Sequence, residues 1–220
     1  MNIKPHHSAL LAVLAALAVP TAATAADANR AQHWEATLQS RFTASETVDF
    51  DNGAKADFDS STGFGFGFAY NFDNKKSLGV DITWNNLNYT GTVAGSGGTQ
   101  TVYGTAYTSG ILLNGTYHFL EGPLTPYVNG LIGFNYTDSG IPAGTTTGCW
   151  WYPYYGYVCG PITYTKTSTD FVYGVGAGLR WDITPGFFLK AGVQQQWVDM
   201  GSASGTPSFV LGRFDIGFKF

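Results

Sequence analysis

The sequence predicts an all-β fold: a single eight-stranded antiparallel transmembrane β-barrel preceded by a cleavable signal peptide. Three observations predict it. Segments of about ten residues alternate apolar and polar side chains, the period of strands that face lipid on one side and a polar interior on the other. The links between these segments alternate short and long, as turns and loops do at the two ends of such a barrel. Charged residues make up only 12% of the chain, against 16% aromatic residues and 29 glycines. Soluble domains carry about 25% charged residues, so too few ionic groups remain to cover a surface facing water.

The amino terminus reads as an address. Lys4 supplies a positive start, Ala9 to Val19 is an unbroken apolar run of 11 residues, and Ala23-Thr24-Ala25 offers a small-x-small cleavage site. That run is too short for a membrane helix, which needs about 20 residues, and no later run is longer. The expected organisation is a signal peptide over 1–25 and an outer-membrane β-barrel domain over 26–220. Losing Lys4 with the leader leaves 10 basic and 15 acidic residues, so the net charge moves from −4 to −5. With no basic patch, nucleic acid is excluded as a partner.

The first strand, Gln32 to Thr43, sets Trp34, Ala36, Leu38 and Phe42 against Glu35, Thr37, Gln39 and Arg41. The second places Phe64, Phe66, Phe68, Tyr70 and Phe72 opposite Gly65, Gly67, Ala69 and Asn71. The third sets Leu78, Val80, Ile82 and Trp84 against Gly79, Asp81, Thr83 and Asn85. In the fourth, Tyr107, Ile111, Leu113, Tyr117 and Phe119 oppose Thr108, Gly110, Asn114, Thr116 and His118. The fifth is less regular, with Val128, Ile132, Phe134 and Tyr136 against Asn129, Leu131, Gly133 and Asn135. The sixth gives Phe171, Tyr173, Val175, Ala177, Leu179 and Trp181 against three glycines, Arg180 and Asp182. The seventh, from Phe187, alternates Leu189, Ala191, Val193 and Trp197 with Lys190, Gly192, Gln194 and Gln196. The last sets Val210, Phe214, Ile216, Phe218 and Phe220 against Arg213, Asp215, Gly217 and Lys219.

Alternation alone does not separate a membrane barrel from a soluble sandwich; the connections do. Short links run from Asp73 to Lys76, Leu120 to Thr125 and Thr184 to Gly186, while the third long one spans roughly 30 residues between Thr137 and Ser168. Trp34, Trp84 and Trp181 are placed near short-turn ends and Trp197 near a long-loop end, as interfacial aromatic girdles require.

The final strand, with Phe214, Ile216, Phe218 and Phe220 at every second position, resembles the terminal segment by which outer-membrane barrels are recognised for assembly. PYVNGLIGFNYT (Pro126 to Thr137) and the stretch from Tyr173 to Asp199 are similar to the fifth, sixth and seventh strands of the small-barrel group that includes opacity proteins, the OmpA barrel and OmpW-like proteins. This resemblance implies a bacterial outer-membrane location with both termini periplasmic. The implied partners are outer-membrane lipid, lipopolysaccharide and the barrel-assembly machinery, with an extracellular ligand or host surface as a further one. The implied roles are surface antigen, adhesin, envelope stabiliser or minor channel.

Three places could carry function. By parity Arg41, Arg180, Lys190, Arg213 and Lys219 face the interior with Glu35, Asp81, Asp182 and Asp215. An eight-stranded interior is just wide enough for side chains to fill, and near-balanced charges there should pair, because an unpaired buried charge costs several kcal/mol. A plugged barrel is the expected outcome. The rival is a small-solute channel, since Gly65, Gly67, Gly174, Gly176, Gly178 and Gly192 leave part of the wall bare. The third long loop carries Cys149 and Cys159, an expected disulfide in an oxidising compartment. Between them lie Trp150, Trp151, Tyr152, Tyr154, Tyr155 and Tyr157, a candidate contact surface or, alternatively, rings folded back on the rim. The first loop is acidic, with Glu46, Asp49, Asp51, Asp57 and Asp59 against Lys55. Its Asp49-x-Asp51-x-Gly53 is an incomplete calcium pattern and reads as solvated.

Enzymatic chemistry lacks a motif: there is no GxSxG, no zinc spacing and no phosphate loop. Only His33 and His118 survive leader removal, and His118 reads as an inward, hydrogen-bonded structural histidine. No cofactor or metal is expected.

Overall fold

The computed structural model describes residues 29–220 except 52, 96, 97 and 202, with backbone alone at 93–95, 98, 150 and 152. The expected signal peptide lies outside the described residues. Ten strands follow one another in the chain, and among the described residues there is no helix. They are β1 (Trp34–Thr43), β2 (Glu46–Asp49), β3 (Lys55–Phe58), β4 (Ser61–Asn71), β5 (Lys76–Gly95), β6 (Gly98–His118), β7 (Leu124–Tyr152), β8 (Gly156–Thr184), β9 (Phe187–Asp199) and β10 (Ser208–Lys219). Eight of them form a closed antiparallel ring in the order β5-β4-β1-β10-β9-β8-β7-β6, with β6 returning to pair with β5. Closure leaves the ring without an open edge. At the seam, Trp34 and Phe220 exchange both main-chain hydrogen bonds at 2.9 Å.

Period-two alternation sorts the side chains. In β1 the odd positions from Glu35 to Thr43 are buried while Trp34, Leu38 and Phe42 are exposed. In β4, Phe64, Phe66 and Phe68 all point outward. These rings make an outer belt with stacked pairs Trp34–Phe68, Phe64–Trp84 and Tyr173–Trp197 at centroid separations of 4.9, 5.3 and 5.5 Å. Trp84 is a correction to the sequence reading. It pairs with Phe64, close to where β4 begins at the long-loop end, because eight residues of β5 separate it from the short turn.

The largest departures lie in the long connections. The first is a hairpin rather than a solvated loop: β2 pairs with β3, and β3 pairs with the outer part of β5 from Tyr89 to Thr92. Val48 and Ala56 face inward while Asp49, Asp57 and Asp59 face solvent. A period-two pattern is present there too, but so short that the acidic residues mask it. The second long connection is an extension of the β5–β6 ladder out to Gly95↔Gly98. The third, expected as a loop of some 30 residues, is a two-stranded ribbon in which β7 and β8 stay paired from Asp138↔Thr167 to Tyr152↔Gly156. Register shifts at Pro142 and Gly144 interrupt it, where proline has no N–H to give the ladder. Threonine-rich pairs such as Thr145↔Thr163 favour extended backbone, and a turn closing on Gly156 at φ 71° reverses the chain.

Candidate functional site

Two ionic networks fill the interior at different heights. Nearest the short turns, Arg30 Nε lies 3.0 Å from Asp182, whose other oxygen is 2.8 Å from Arg180 Nη2. Arg180 Nη1 approaches Glu35 Oε1 at 2.6 Å, and Lys190 Nζ approaches Glu35 Oε2 at 3.2 Å. Asn71 donates to Glu35 at 2.8 Å. Phe188, fully buried, sits under both cations, with the Arg180 guanidinium 3.9 Å and Lys190 Nζ 4.9 Å from its ring centre. Higher up, Arg213 bridges Asp215 at 2.7 Å and Asp81 at 2.9 Å, and Gln39 donates to Asp81 at 2.6 Å.

The structure therefore brings Glu35, Arg180, Asp182 and Lys190 into one cluster and Asp81, Arg213 and Asp215 into another. Arg41 and Lys219 join neither. Lys219 donates to the main-chain oxygen of Asn29. Arg41 stands in register with Arg213 on the neighbouring strand, and both nearby carboxylates are already held by Arg213. This corrects the expectation that all nine charges pair. Arg30, wholly buried, is the cation that sequence reasoning missed. It precedes β1, where no strand periodicity could assign it to a face, and it donates to the carbonyls of Asn74, Leu120 and Gly122 beside two short turns.

Above the ionic layers the interior becomes apolar. Leu112, Leu131, Val172, Val198, Phe209 and Leu211 form a buried cluster capped by Val48 of β2. Bare glycines on the wall do not open a water path, since bulky neighbours occupy the space they leave. A Cβ at Gly67 would fall 2.6 Å from Gln39 Nε2, one at Gly192 would fall 2.8 Å from the Tyr127 hydroxyl, and one at Gly217 would overlap the Phe188 ring. Between the apolar cluster and the roof of β3 remains a cavity of about 80 Å³.

His118 is fully buried, and both its ring nitrogens lack a hydrogen-bond partner among the described residues, contrary to the hydrogen-bonded role expected of it. His33 Nδ1 lies 2.7 Å from the Ala31 carbonyl oxygen. Among the described residues no group of three His, Cys, Asp or Glu could hold a metal. In the acidic hairpin, Asp49 pairs with Lys55 at 2.8 Å, Asp57 accepts from Thr47 at 2.6 Å and Asp51 accepts from Ser204 at 2.9 Å.

At the far end of the ribbon Cys149 and Cys159 stand opposite one another and are bridged. Trp151 and Tyr157 form the next pair on the same face, two residues nearer the tip. Tyr154 is 91% exposed and Tyr157 78%, so these rings do not fold back on the rim. The side chains of Trp150 and Tyr152 lie outside the described residues. On the last strand, Phe214, Ile216, Phe218 and Phe220 all point outward.

A closed ring with an aromatic exterior and an ionic interior is the arrangement of a barrel in lipid. The family described as outer membrane protein beta-barrel domain matches residues 9–218. The chain belongs to this family. It is an outer-membrane β-barrel protein of the bacterial envelope, of the small-barrel group that includes opacity proteins and the OmpA barrel. Its fold is similar to that of Neisserial surface protein A, at 15% identity and TM-score 0.51, covering 84% of this chain and 95% of that one. It is likewise similar to the outer membrane protein OprG from Pseudomonas aeruginosa, at 15% identity and TM-score 0.51, covering 87% and 97%. A third similar structure is Ail, the attachment invasion locus protein of Yersinia pestis, solved with the heparin analogue sucrose octasulfate, at 14% identity and TM-score 0.50, covering 86% and 99%. No curated protein sequence matches this chain.

Proposed function

We propose that this outer-membrane barrel serves a structural and surface-interaction role. Its plugged body displays the β7–β8 ribbon to the outside, with the disulfide-braced aromatic tip as its contact surface. The observation that carries the reading is the pairing of a filled interior with exposed rings at Trp151, Tyr154 and Tyr157. Tyrosine and tryptophan give large contact area at low entropy cost, and a cross-link at the neck limits what the tip must still order on binding.

The remaining parts fit this role. The leader over 1–25 directs export and is removed, and the short turns and both termini face the periplasm. The alternating Phe214, Ile216, Phe218 and Phe220 present the last strand to the barrel-assembly machinery, and lipopolysaccharide meets the outer belt. No catalytic step is part of the reading.

The test is attachment of whole cells carrying wild-type protein or the W151A/Y154A/Y157A variant to host-cell and matrix surfaces. Loss of attachment at unchanged surface abundance is expected. Unchanged attachment and envelope integrity would remove the tip from the role. Steady conductance of refolded protein in planar bilayers would replace this reading with that of a small-solute channel.

A further inference from the structure

The cavity under the β3 roof is lined by two donors that the protein itself leaves unanswered. Arg41 is 94% buried by its 6% exposure, yet its guanidinium makes no hydrogen bond or ion pair among the described residues. Gln196, buried to a similar degree, presents an Nε2 with no partner to the same cavity. Buried polar groups are nearly always satisfied, and a buried cation without a counter-ion is costly enough that such a group is retained only when something answers it. Two unanswered donors converging on one cavity are complementary to an acceptor that carries negative charge.

We propose that this cavity binds a small organic carboxylate, its oxygens held by Arg41 and Gln196. The planar fork of a guanidinium matches the two oxygens of a carboxylate. Charge decides for a monoanion: one cation is free, whereas Asp81 and Asp215 stand beyond Arg213 and would repel a second negative charge. The opposite wall decides for a carbon tail, since Phe58, Phe209 and Leu211 line the same space. At about 80 Å³ the cavity admits a short chain only. The proposal concerns the interior and is independent of the ribbon.

Protein refolded in detergent micelles is titrated with butyrate by calorimetry and with carboxyl-13C butyrate by NMR, with butyramide and inorganic phosphate as comparison probes. Folding of each variant is checked by heat-modifiable gel mobility. Butyrate is expected to bind the wild type about tenfold or more tightly than butyramide or phosphate, and R41M is expected to weaken it by about tenfold or more. Q196L is expected to weaken it about threefold or more, and R41K to keep part of the affinity; Q196L with R41K still reports on the site if R41M does not fold. Absence of butyrate binding to folded wild type overturns the proposal. So does binding indifferent to R41M or Q196L, or a preference for phosphate.

Discussion

Glu35 holds a different cation on each oxygen, Arg180 at 2.6 Å and Lys190 at 3.2 Å, and none of the three has appreciable contact with solvent. Removing one partner from a buried ion pair leaves its counter-charge uncompensated, a loss of about 3–5 kcal/mol. E35A should therefore lower unfolding stability in micelles by that order, read from urea titration of heat-modifiable mobility. F188A should cost about 3–5 kcal/mol as well, since the ring lies under both cations and fills the space that Gly217 leaves. The interior charges could be read from strand parity, but Arg30 and Phe188 could not. Arg30 precedes the first strand, and Phe188 is an apolar residue on the polar face, where alternation alone expects a hydrophilic one. Outside the membrane-spanning part, Asp73 in the turn before β5 accepts main-chain hydrogen bonds from Lys75 and Lys76, both at 2.7 Å, which hold its carboxyl below the usual range. A depressed folded value stabilises above the unfolded carboxylate value of about 3.9 and is lost as pH falls through the folded one. The gap in unfolding midpoint between wild type and D73A should thus be open at neutral pH and close in acid.

The ribbon behaves as an element of its own. An isolated two-stranded hairpin is marginally stable in water, and beyond Asp138 neither β7 nor β8 has a third strand beside it. A cross-link closing a loop of this size contributes about 3 kcal/mol by restricting the unfolded chain. C149S/C159S should therefore raise amide exchange sharply between residues 145 and 163 while leaving the ring strands as protected as before. At its root the ribbon is held differently, by the Tyr89 hydroxyl donating to the Ser139 carbonyl at 2.9 Å. The ring strands were legible because lipid outside and ions inside impose opposite chemistry on alternate residues. The ribbon was not, because both of its faces meet water: threonine, glycine and tyrosine then follow one another with no burial to sort them. The acidic hairpin hid for a related reason, as four-residue strands give two turns of the pattern at most.

For the whole molecule, closure of the ring and filling of the interior act together. The ionic layers, Phe188 and the apolar cluster occupy the cross-section at successive heights, and bare glycines are backed by side chains from adjoining strands. Refolded protein should accordingly be silent in planar-bilayer recordings, with no unitary steps at moderate voltage. The fold class was the most legible property of all, since eight weak patterns in series carry more information than any one of them. How the interior divides into a charged base and an apolar top was beyond the sequence, because height along the axis depends on the stagger between strands, which one strand cannot report.

The seam between β1 and β10 ties Glu35 to Lys219 and Trp34 to Phe220. Those partners lie almost the full length of the chain apart, so neither terminal strand has its ring neighbour until residues as far as Phe220 have been made. Cylinder formation is in consequence a late event that cannot proceed alongside synthesis. The polypeptide must travel from ribosome to destination with its aromatic stripes unsheltered, and it depends throughout that journey on escorts that keep it from clumping.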